Sequence, residues 1–323
     1  MRRLLVASLL VLCAGLPGVS RAAGKPKILF MPGVADPFYF TMEKGIKAKA
    51  AEIGADLTVA EYPKSWGPDA QVPILQAAIA AGKYDLLLIA PTSTDALKAP
   101  LKGIYDKGVE IITVDTFIGD GDYSKPSDYN FPLSYIGSDN ELGGKQMAQQ
   151  LAKLVGGKGK VFVEATNPDA SSVQGRVKGF KAGAAESGLQ LVGVEWCQDV
   201  QQKAQEQTLA ALQKDKDIVG IFGTNVFSAQ GSYQAVVNAG LTGAVKIASW
   251  DATKELIGAL KKGQVDLVLA QKPAEMGSLA VDWGVKYLKD KKGVKVPKKV
   301  IPGFEFFTKA NVDDPKMQQF IYQ

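Results

Sequence analysis

Short apolar runs alternate with longer amphipathic stretches along almost the whole chain. The runs are rich in Val, Ile and Leu, as expected for strands that are covered on both faces. Glycine closes many of the helical stretches, because it adopts the left-handed conformation that ends a helix at little cost. Repeated strand–helix units predict an α/β fold with parallel sheets. The predicted strands are Lys27–Met31, Asp56–Ala60, Asp85–Ile89, Glu110–Val114, Lys160–Glu164, Gln190–Glu195, Ile218–Phe222, Lys246–Ser249 and Val265–Leu269.

The chain has 323 residues, which is the length of about two domains. Its two halves carry the same alternation, so we expect two similar Rossmann-like domains. The alternation breaks at 135–140, 271–273 and 296–303, and we place three interdomain crossings there, which together would form a hinge. The predicted N-terminal lobe is 25–136 plus 272–298, and the predicted C-terminal lobe is 137–271 plus 299–323.

Residues 1–22 read as a secretory signal peptide rather than as part of the fold. Arg2 and Arg3 precede an apolar run, and a small-residue cleavage site ends at Ala22. Cys13 leaves a lipoprotein signal open as an alternative, although Leu12 stands where a small residue would be needed. Removal of the segment would lower the formal net charge from +5 to +2, because it carries three arginines and no acid. We therefore predict a periplasmic protein without a nucleic-acid partner.

The composition excludes several kinds of chemistry. No histidine is present, so catalysis by Ser-His-Asp or Cys-His groups and the usual zinc ligand are excluded. Beyond the signal segment a single cysteine remains, Cys197, so no internal disulfide is expected. The acids between Asp120 and Asp128 lack the calcium-loop signature. No dinucleotide fingerprint follows the first strand. We predict a binding protein that is not an enzyme and holds no metal or cofactor.

Polar side chains stand at the carboxyl ends of predicted strands. They are Asp36, Asp115, Asn225, Asp251 and Gln271. Each could be only a helix cap or turn former, since Asp and Asn favour both. In open parallel sheets, however, ligands lie in the crevice outside the carboxyl ends of the strands. We therefore predict one polar cluster that faces a small ligand.

Three aromatic residues are candidates for stacking on that ligand. Phe38 and Tyr39 follow Asp36, and Trp196 ends a strand of the second half. Each could instead be a core residue. Trp66 lies in a loop and could be a rim contact or part of the loop packing.

Gln174 and Arg176 lie on the helix after 167–169, and both could be solvated. We expect Gln174 to contact the ligand and Arg176 to pair with acids of its own domain. Thr116 follows Asp115 and is a further candidate.

The order and spacing of several segments resemble the ribose and glucose/galactose periplasmic binding proteins, the solute receptors of ABC sugar importers. The segments that carry the resemblance are Asp36-Pro37-Phe38-Tyr39, Ala90-Pro91-Thr92, Thr113-Val114-Asp115, Ile136-Gly137-Ser138-Asp139-Asn140, Arg176-Val177-Lys178-Gly179-Phe180, Gly223-Thr224-Asn225, Trp250-Asp251 and Ala270-Gln271-Lys272-Pro273. The resemblance implies a type I periplasmic binding fold with the sugar between the domains. It also implies delivery of that sugar to a membrane permease, by a protein that we expect to be a monomer.

This sequence departs from the ribose type at three positions. Ala90, Thr116 and Gln174 stand where that type carries an asparagine and two arginines. Asp36 and Trp196 favour a hexose or a sugar alcohol over ribose. A receptor for a non-sugar polyol-like signal, such as a cyclic diol autoinducer, stays open as an alternative. A repressor with the same core would need an N-terminal helix-turn-helix, where this chain has its apolar leader.

Overall fold

The computed structural model describes residues 24–322, and the predicted signal segment with Cys13 lies outside them. Among the described residues no helix is both long and apolar enough to cross a membrane. In chain order the strands are β1 Lys27–Met31, β2 Asp56–Val59, β3 Leu86–Ile89, β4 Glu110–Val114, β5 Ser134–Ile136, β6 Gly159–Ala165, β7 Leu189–Trp196, β8 Ile218–Gly223, β9 Lys246–Trp250, β10 Leu267–Gln271, β11 Lys299–Val300 and β12 Phe304–Thr308. The helices are α1 Pro37–Ile53, α2 Pro68–Ala81, α3 Lys98–Tyr105, α4 Asn140–Leu154, α5 Ser171–Glu186, α6 Gln201–Lys214, α7 Val226–Asn238, α8 Lys254–Lys261 and α9 Pro273–Lys289, with a 3₁₀ turn at Gln318–Phe320.

The strands form two sheets, and the predicted α/β fold is confirmed. The first sheet has the order β11-β5-β4-β3-β1-β2, and all of its strands are parallel. The second has the order β12-β10-β9-β8-β6-β7, and only β12 runs antiparallel to its neighbour. We call the bodies built on these sheets the first lobe and the second lobe. Their central strands are buried on both faces, which explains why they read as continuous apolar runs.

The chain passes between the sheets three times, after β5, after β10 and after β11. Lys299 and Val300 pair with Tyr135 and Ile136 in the first sheet. The third crossing therefore follows Val300, two residues beyond the boundary expected from the sequence. The rest of the predicted division into lobes stays a prediction.

One strand lies further along the chain than the apolar pattern indicates. The run from Val265 predicts a strand that ends at Leu269, but β10 spans Leu267–Gln271. Asp266 lies just before the strand, where its carboxylate accepts hydrogen bonds from the Ile247 N–H and the Lys246 Nζ, both at 3.0 Å. The shift makes Gln271 the last residue of the strand.

Helices α4 and α5 pack closely against the second sheet. A Cβ atom at Gly179 of α5 would overlap the carbonyl oxygen of Glu141 on α4. Gly144 of α4 likewise faces the backbone of Arg176. Glycine at these positions lets the two helix backbones meet, and this contact fixes the face of α5 that carries Arg176.

We predict opposite effects for two glycine-to-alanine substitutions within helices. Gly179→Ala should destabilise the fold by about 2 kcal/mol or more, because the added methyl group must push two helices apart. Gly258→Ala in α8, where an added Cβ would meet nothing within 4 Å, should stabilise the fold by roughly 0.5–1 kcal/mol. Urea denaturation monitored by circular dichroism checks both. Equal stability of the two variants would contradict this account of the α4–α5 contact.

Candidate functional site

A narrow cavity lies between the two sheets, at the carboxyl ends of their strands. Its first-lobe wall comes from the segments after β1, β2 and β4, and its second-lobe wall comes from α5 and the ends of β6 to β10. Most of the side chains are buried, with Asp36 at 8% exposure, whereas Trp66, Asp199 and Asn225 are partly buried. The lining residues are Val34, Asp36, Phe38, Tyr39, Trp66, Asp115, Thr166, Ala170, Ser172, Val173, Arg176, Asp199, Asn225, Asp251 and Gln271.

In the first lobe, Asp36 and Asp115 face the cavity. Asp36 caps α1, and its Oδ1 accepts a hydrogen bond from the Tyr39 N–H at 2.9 Å. The Tyr39 hydroxyl donates to Asp115 Oδ2 at 2.8 Å. Asp115 Oδ1 is buried and has no hydrogen-bond partner among residues 24–322. A buried acceptor without a partner costs about 1–3 kcal/mol, so this oxygen favours a ligand that donates to it.

Three cavity carboxylates lie on residues with left-handed backbone. The φ angles are 62° at Asp115, 60° at Asp199 and 75° at Asp251. This conformation is unfavourable for residues other than glycine and is tolerated best by Asp and Asn. Backbone strain of this kind clusters at functional sites, where the surrounding structure holds it. Asp115 and Asp251 directly follow β4 and β9, and Asp199 comes three residues after β7; each carries a carboxyl group of the cavity.

In the second lobe, Asp251 belongs to a network of side chains that continues into the hinge. Gln271 Nε2 donates to Asp251 Oδ1 at 2.8 Å, and the Tyr322 hydroxyl donates to the same oxygen at 3.0 Å. Ser138, in the first crossing, donates to Gln271 Oε1 at 2.8 Å. Asp251 is therefore tied to two of the three segments that join the lobes.

Asn225 and Asp199 form a second polar pair in this lobe. The Asn225 Oδ1 caps α7 by accepting from the Ser228 N–H at 3.1 Å. Its Nδ2 donates to Asp199 Oδ1 at 2.7 Å. The side chain thus caps a helix and orients a cavity carboxylate at the same time, so the two interpretations of a strand-end asparagine are compatible.

Arg176 supplies the guanidinium of the cavity and is only 3% exposed. Its Nε donates to Asn140 Oδ1 and its Nη1 donates to the Thr224 carbonyl oxygen, both at 2.9 Å. The group lies 4.3 Å from the ring centroid of Trp250. These contacts hold it rigidly in the second-lobe wall, where its charge acts on the surrounding carboxylates.

Burial raises the pKa of all four cavity carboxyl groups, because desolvation disfavours the charged form. The pKa of Asp115 and that of Asp199 rise to about 6, although the Arg176 charge opposes both shifts. The pKa of Asp251 also rises, against the opposing effect of the same guanidinium. Asp36 has its pKa raised well above the ordinary range by burial, and the neighbouring carboxylates add to that effect.

The structure brings seven of the ten predicted site residues to the cavity wall. They are Asp36, Phe38, Tyr39, Asp115, Asn225, Asp251 and Gln271. The remaining three, Thr116, Gln174 and Trp196, lie elsewhere, each for a local structural reason.

Thr116 is buried beside the cavity but turned away from it. The left-handed Asp115 and a hydrogen bond from the Thr116 N–H to the Val114 carbonyl, at 2.6 Å, reverse the chain directly after β4. The Thr116 hydroxyl then donates to the Pro91 carbonyl oxygen at 2.8 Å. It therefore braces the ends of two strands.

Gln174 is exposed, and its Nε2 donates to the Pro168 carbonyl oxygen at 2.5 Å. On α5 the cavity is lined by Ser172, Val173 and Arg176, which share one helix face, and Gln174 lies on the opposite face. The structure therefore places Arg176, and not Gln174, on the cavity wall.

Trp196 ends β7, the edge strand, and packs against the core cluster of the second lobe. The chain then continues through Cys197, and the polar group that reaches the cavity is Asp199. The position of Trp196 at a strand end predicts an indole that stacks on the ligand, whereas in the structure the side chain packs against the core of the second lobe.

The sequence reasoning did not select Arg176, Asp199 or Trp66 as ligand contacts. Helical spacing from Ser172 could have favoured Arg176, and the position of Asp199 after a strand is the same signal that identified the other aspartates. The sequence allows Trp66 to be either a rim contact or part of the loop packing. The structure places it on the cavity wall, packed against apolar clusters of both lobes, with a buried Nε1 that has no hydrogen-bond partner among the described residues.

Two α/β lobes, three crossing segments and a buried polar cavity between the lobes form an arrangement that suits a small molecule held between hinged lobes. A family model described as "Periplasmic binding protein domain" matches residues 28–292. The chain belongs to this family.

Relatives of known structure cover nearly the whole chain. A solute-binding protein of an ABC transporter from Agrobacterium vitis, solved with α-D-tagatopyranose, is 41% identical, covers 93% of this chain and 100% of its own, and superposes with a TM-score of 0.89. A second A. vitis solute-binding protein, solved with D-fucose, is 26% identical over 92% of this chain and 100% of its own, with a TM-score of 0.84. The D-ribose/D-allose-binding protein of Pseudomonas aeruginosa is 26% identical over 89% of this chain and 91% of its own length.

We predict that one cavity carboxyl group makes the ligand-free protein less stable as the pH rises. Asp115 has a folded pKa of about 6, above its ordinary value, so the folded state binds more protons than the unfolded state between about pH 4 and 6. Stability is therefore present at low pH and is lost as the pH rises through 6. Asp115→Asn should remove up to about 1.4 kcal/mol per pH unit from that slope.

Urea denaturation at pH 4.5 to 7.5 measures this slope. Asp122→Asn is the matched control, because the pKa of Asp122 is about 2 and its titration lies below the tested range. Indistinguishable slopes for wild type and Asp115→Asn would show that Asp115 does not titrate in this window.

Proposed function

We propose that this protein captures a monosaccharide or sugar alcohol in the cavity between its lobes and delivers it to the permease of an ABC transporter. The observation that carries the proposal is the excess of acceptors over donors in the cavity. Among the residues that the structure describes, four carboxyl groups and one guanidinium line the cavity, and Asp115 Oδ1 has no hydrogen-bond partner. Sugar hydroxyls donate hydrogen bonds at every position of the ring, so a sugar supplies what the cavity lacks.

The apolar part of the cavity supports the same ligand class. Phe38 and Trp66 both come from the first lobe, and Val173 comes from the second. A sugar ring presents a C–H face beside its hydroxyl edge, and aromatic rings suit such a face. The buried Nε1 of Trp66 could also donate to a ring or hydroxyl oxygen. The ligand contacts that we propose are therefore the seven predicted residues together with Trp66, Arg176 and Asp199.

The named ligands of relatives favour a sugar over the alternative of a polyol-like signal such as a cyclic diol autoinducer. Tagatopyranose and fucose are bound in the two solved relatives, and a third relative is named for the binding of ribose and allose. Sugar capture without chemistry is consistent with those relatives, which are named as binding proteins. The proposed location is the periplasm, and the proposed state is a monomer.

Capture requires the lobes to separate. Asp36, Tyr39, Asp251 and Gln271 are at most 8% exposed, so a sugar cannot reach them in the closed arrangement. We propose that bending at the three crossings opens the cavity, and that closure then removes the ligand and the carboxylates from water. Hydrogen bonds strengthen in that environment, and a micromolar dissociation constant needs only about 8 kcal/mol in total.

Asp251→Ala should abolish ligand binding while the fold remains intact. Loss of this carboxylate removes a charged acceptor and leaves Gln271 Nε2 and the Tyr322 hydroxyl without their partner, so we expect at least a hundredfold weaker binding. The measurement is isothermal titration calorimetry with D-tagatose, D-fucose, D-allose, D-ribose and a cyclic diol.

The control is Asp313→Ala, which removes an exposed carboxylate that pairs with Lys261 on the surface. It should bind like the wild type. Wild-type affinity in Asp251→Ala would count against this site, and binding of the diol but of no sugar would favour the alternative function.

Tryptophan fluorescence should report ligand binding through Trp66. A sugar in the cavity changes the polarity beside this indole, so a bound sugar should shift the emission of the wild type. The control Trp283→Phe, in α9 and outside the cavity lining, should show the same shift. Trp66→Phe should lose most of the signal and bind about tenfold more weakly, through loss of indole area and of the Nε1–H donor. An unchanged signal and affinity in Trp66→Phe would remove Trp66 from the proposed contacts.

A further inference from the structure

Tyr322 lies in the C-terminal segment, far in sequence from every residue that lines the cavity. Its ring is 2% exposed and packs edge-on against Phe38 of α1, with 5.9 Å between ring centroids. Its backbone N–H donates to the Ala252 carbonyl oxygen at 2.8 Å, beside a bridge to Thr253. The segment is thus fixed to the turn that follows Asp251, and its phenol ring reaches across to the first lobe.

The Tyr322 hydroxyl makes two hydrogen bonds in the binding site, one as a donor and one as an acceptor. It donates to Asp251 Oδ1 at 3.0 Å, and it accepts from the backbone N–H of Gln271 at 2.9 Å. A hydroxyl has one proton, so donation to Asp251 leaves its oxygen to accept from Gln271. The bond to the Gln271 N–H holds the backbone where the chain leaves β10 for the second crossing.

Two donors therefore converge on one oxygen of Asp251. Gln271 Nε2 and the Tyr322 hydroxyl both bind Oδ1. With that oxygen occupied, the carboxylate presents Oδ2 for a ligand hydroxyl. Gln271 alone would leave the carboxylate able to rotate, whereas a second donor fixes the plane of the group.

We propose that Tyr322 is a positioning residue of the binding site, which orients the Asp251 carboxylate and holds the second crossing while the lobes close around the ligand. This inference rests on the proposed function for its effect on binding. Its effect on Asp251 itself does not depend on any ligand. Phe38 belongs to the first lobe, Asp251 to the second lobe, and Gln271 to the end of β10, where the second crossing begins, so this one side chain contacts both lobes and the start of a crossing.

The test is Tyr322→Phe, which keeps the ring against Phe38 and removes only the hydroxyl. Sugar affinity should fall about tenfold at pH 7.5. The loss should grow toward acid pH, because a hydrogen bond to the ionised carboxylate lowers the pKa of Asp251 and its removal raises that pKa. The acid limb of binding should therefore move to higher pH. Tyr233→Phe is the control, because its hydroxyl donates to Glu255 at 2.8 Å outside the cavity.

A second measurement needs no ligand. Carbon-13 NMR titration of the aspartate carboxyl groups should show a higher pKa for Asp251 in Tyr322→Phe than in the wild type, and no change in Tyr233→Phe. In the wild type, the Tyr322 hydroxyl proton should be protected from exchange and close to the Gln271 amide proton. This wild-type observation stands even if the variant does not fold.

The outcomes separate the two proposals. If the wild type binds no sugar but the Asp251 pKa moves as expected, the proposed function fails and the positioning role stands. If the wild type binds a sugar and Tyr322→Phe shows the same affinity, acid limb and Asp251 titration, the positioning role is overturned and the function stands.

Discussion

The proposed function depends on an imbalance of charge in the buried cavity between the lobes. Four carboxyl groups share a single guanidinium there, and that guanidinium is fixed by Asn140, Thr224 and Trp250. Burial of an uncompensated carboxylate costs several kcal/mol, and the raised pKa values of Asp115 and Asp199 show that the protein meets this cost in part by favouring protonation. A ligand rich in hydroxyl donors compensates the carboxylates without a countercharge, which explains why a neutral sugar suits an acidic cavity.

The same imbalance of charge affects the equilibrium between the open and closed arrangements of the lobes. Asp36 and Asp115 belong to the first lobe, whereas Asp199 and Asp251 belong to the second. Closure without a ligand brings these groups together and removes them from water, so their ionisation at higher pH should favour opening of the empty protein. A sugar reverses this preference because it donates to both walls at once. Ligand binding therefore shifts a population between two arrangements, through contacts that exist only in the closed one.

Much of the fold and part of the site could be predicted from the sequence, because both depend on local patterns. Apolar periodicity predicted the sheets, and strand-end position predicted Asp251 and Gln271. Gln174 and Trp196 lie off the cavity wall, because neither residue type nor spacing in one sequence tells which face of a helix, or which side of an edge strand, faces the cavity. The contact from Tyr322 to Asp251 joins positions 71 residues apart, so no local sequence pattern predicts it.

A crystal structure of the protein with the sugar that it retains from purification, or with one added from the calorimetric panel, tests the central claim most directly. We predict electron density for one sugar between the sheets, with hydroxyls within hydrogen-bonding distance of carboxylates from both lobes, including Asp115 Oδ1 and Asp251 Oδ2. Density outside this cavity, or a sugar that contacts the carboxylates of only one lobe, would contradict the account.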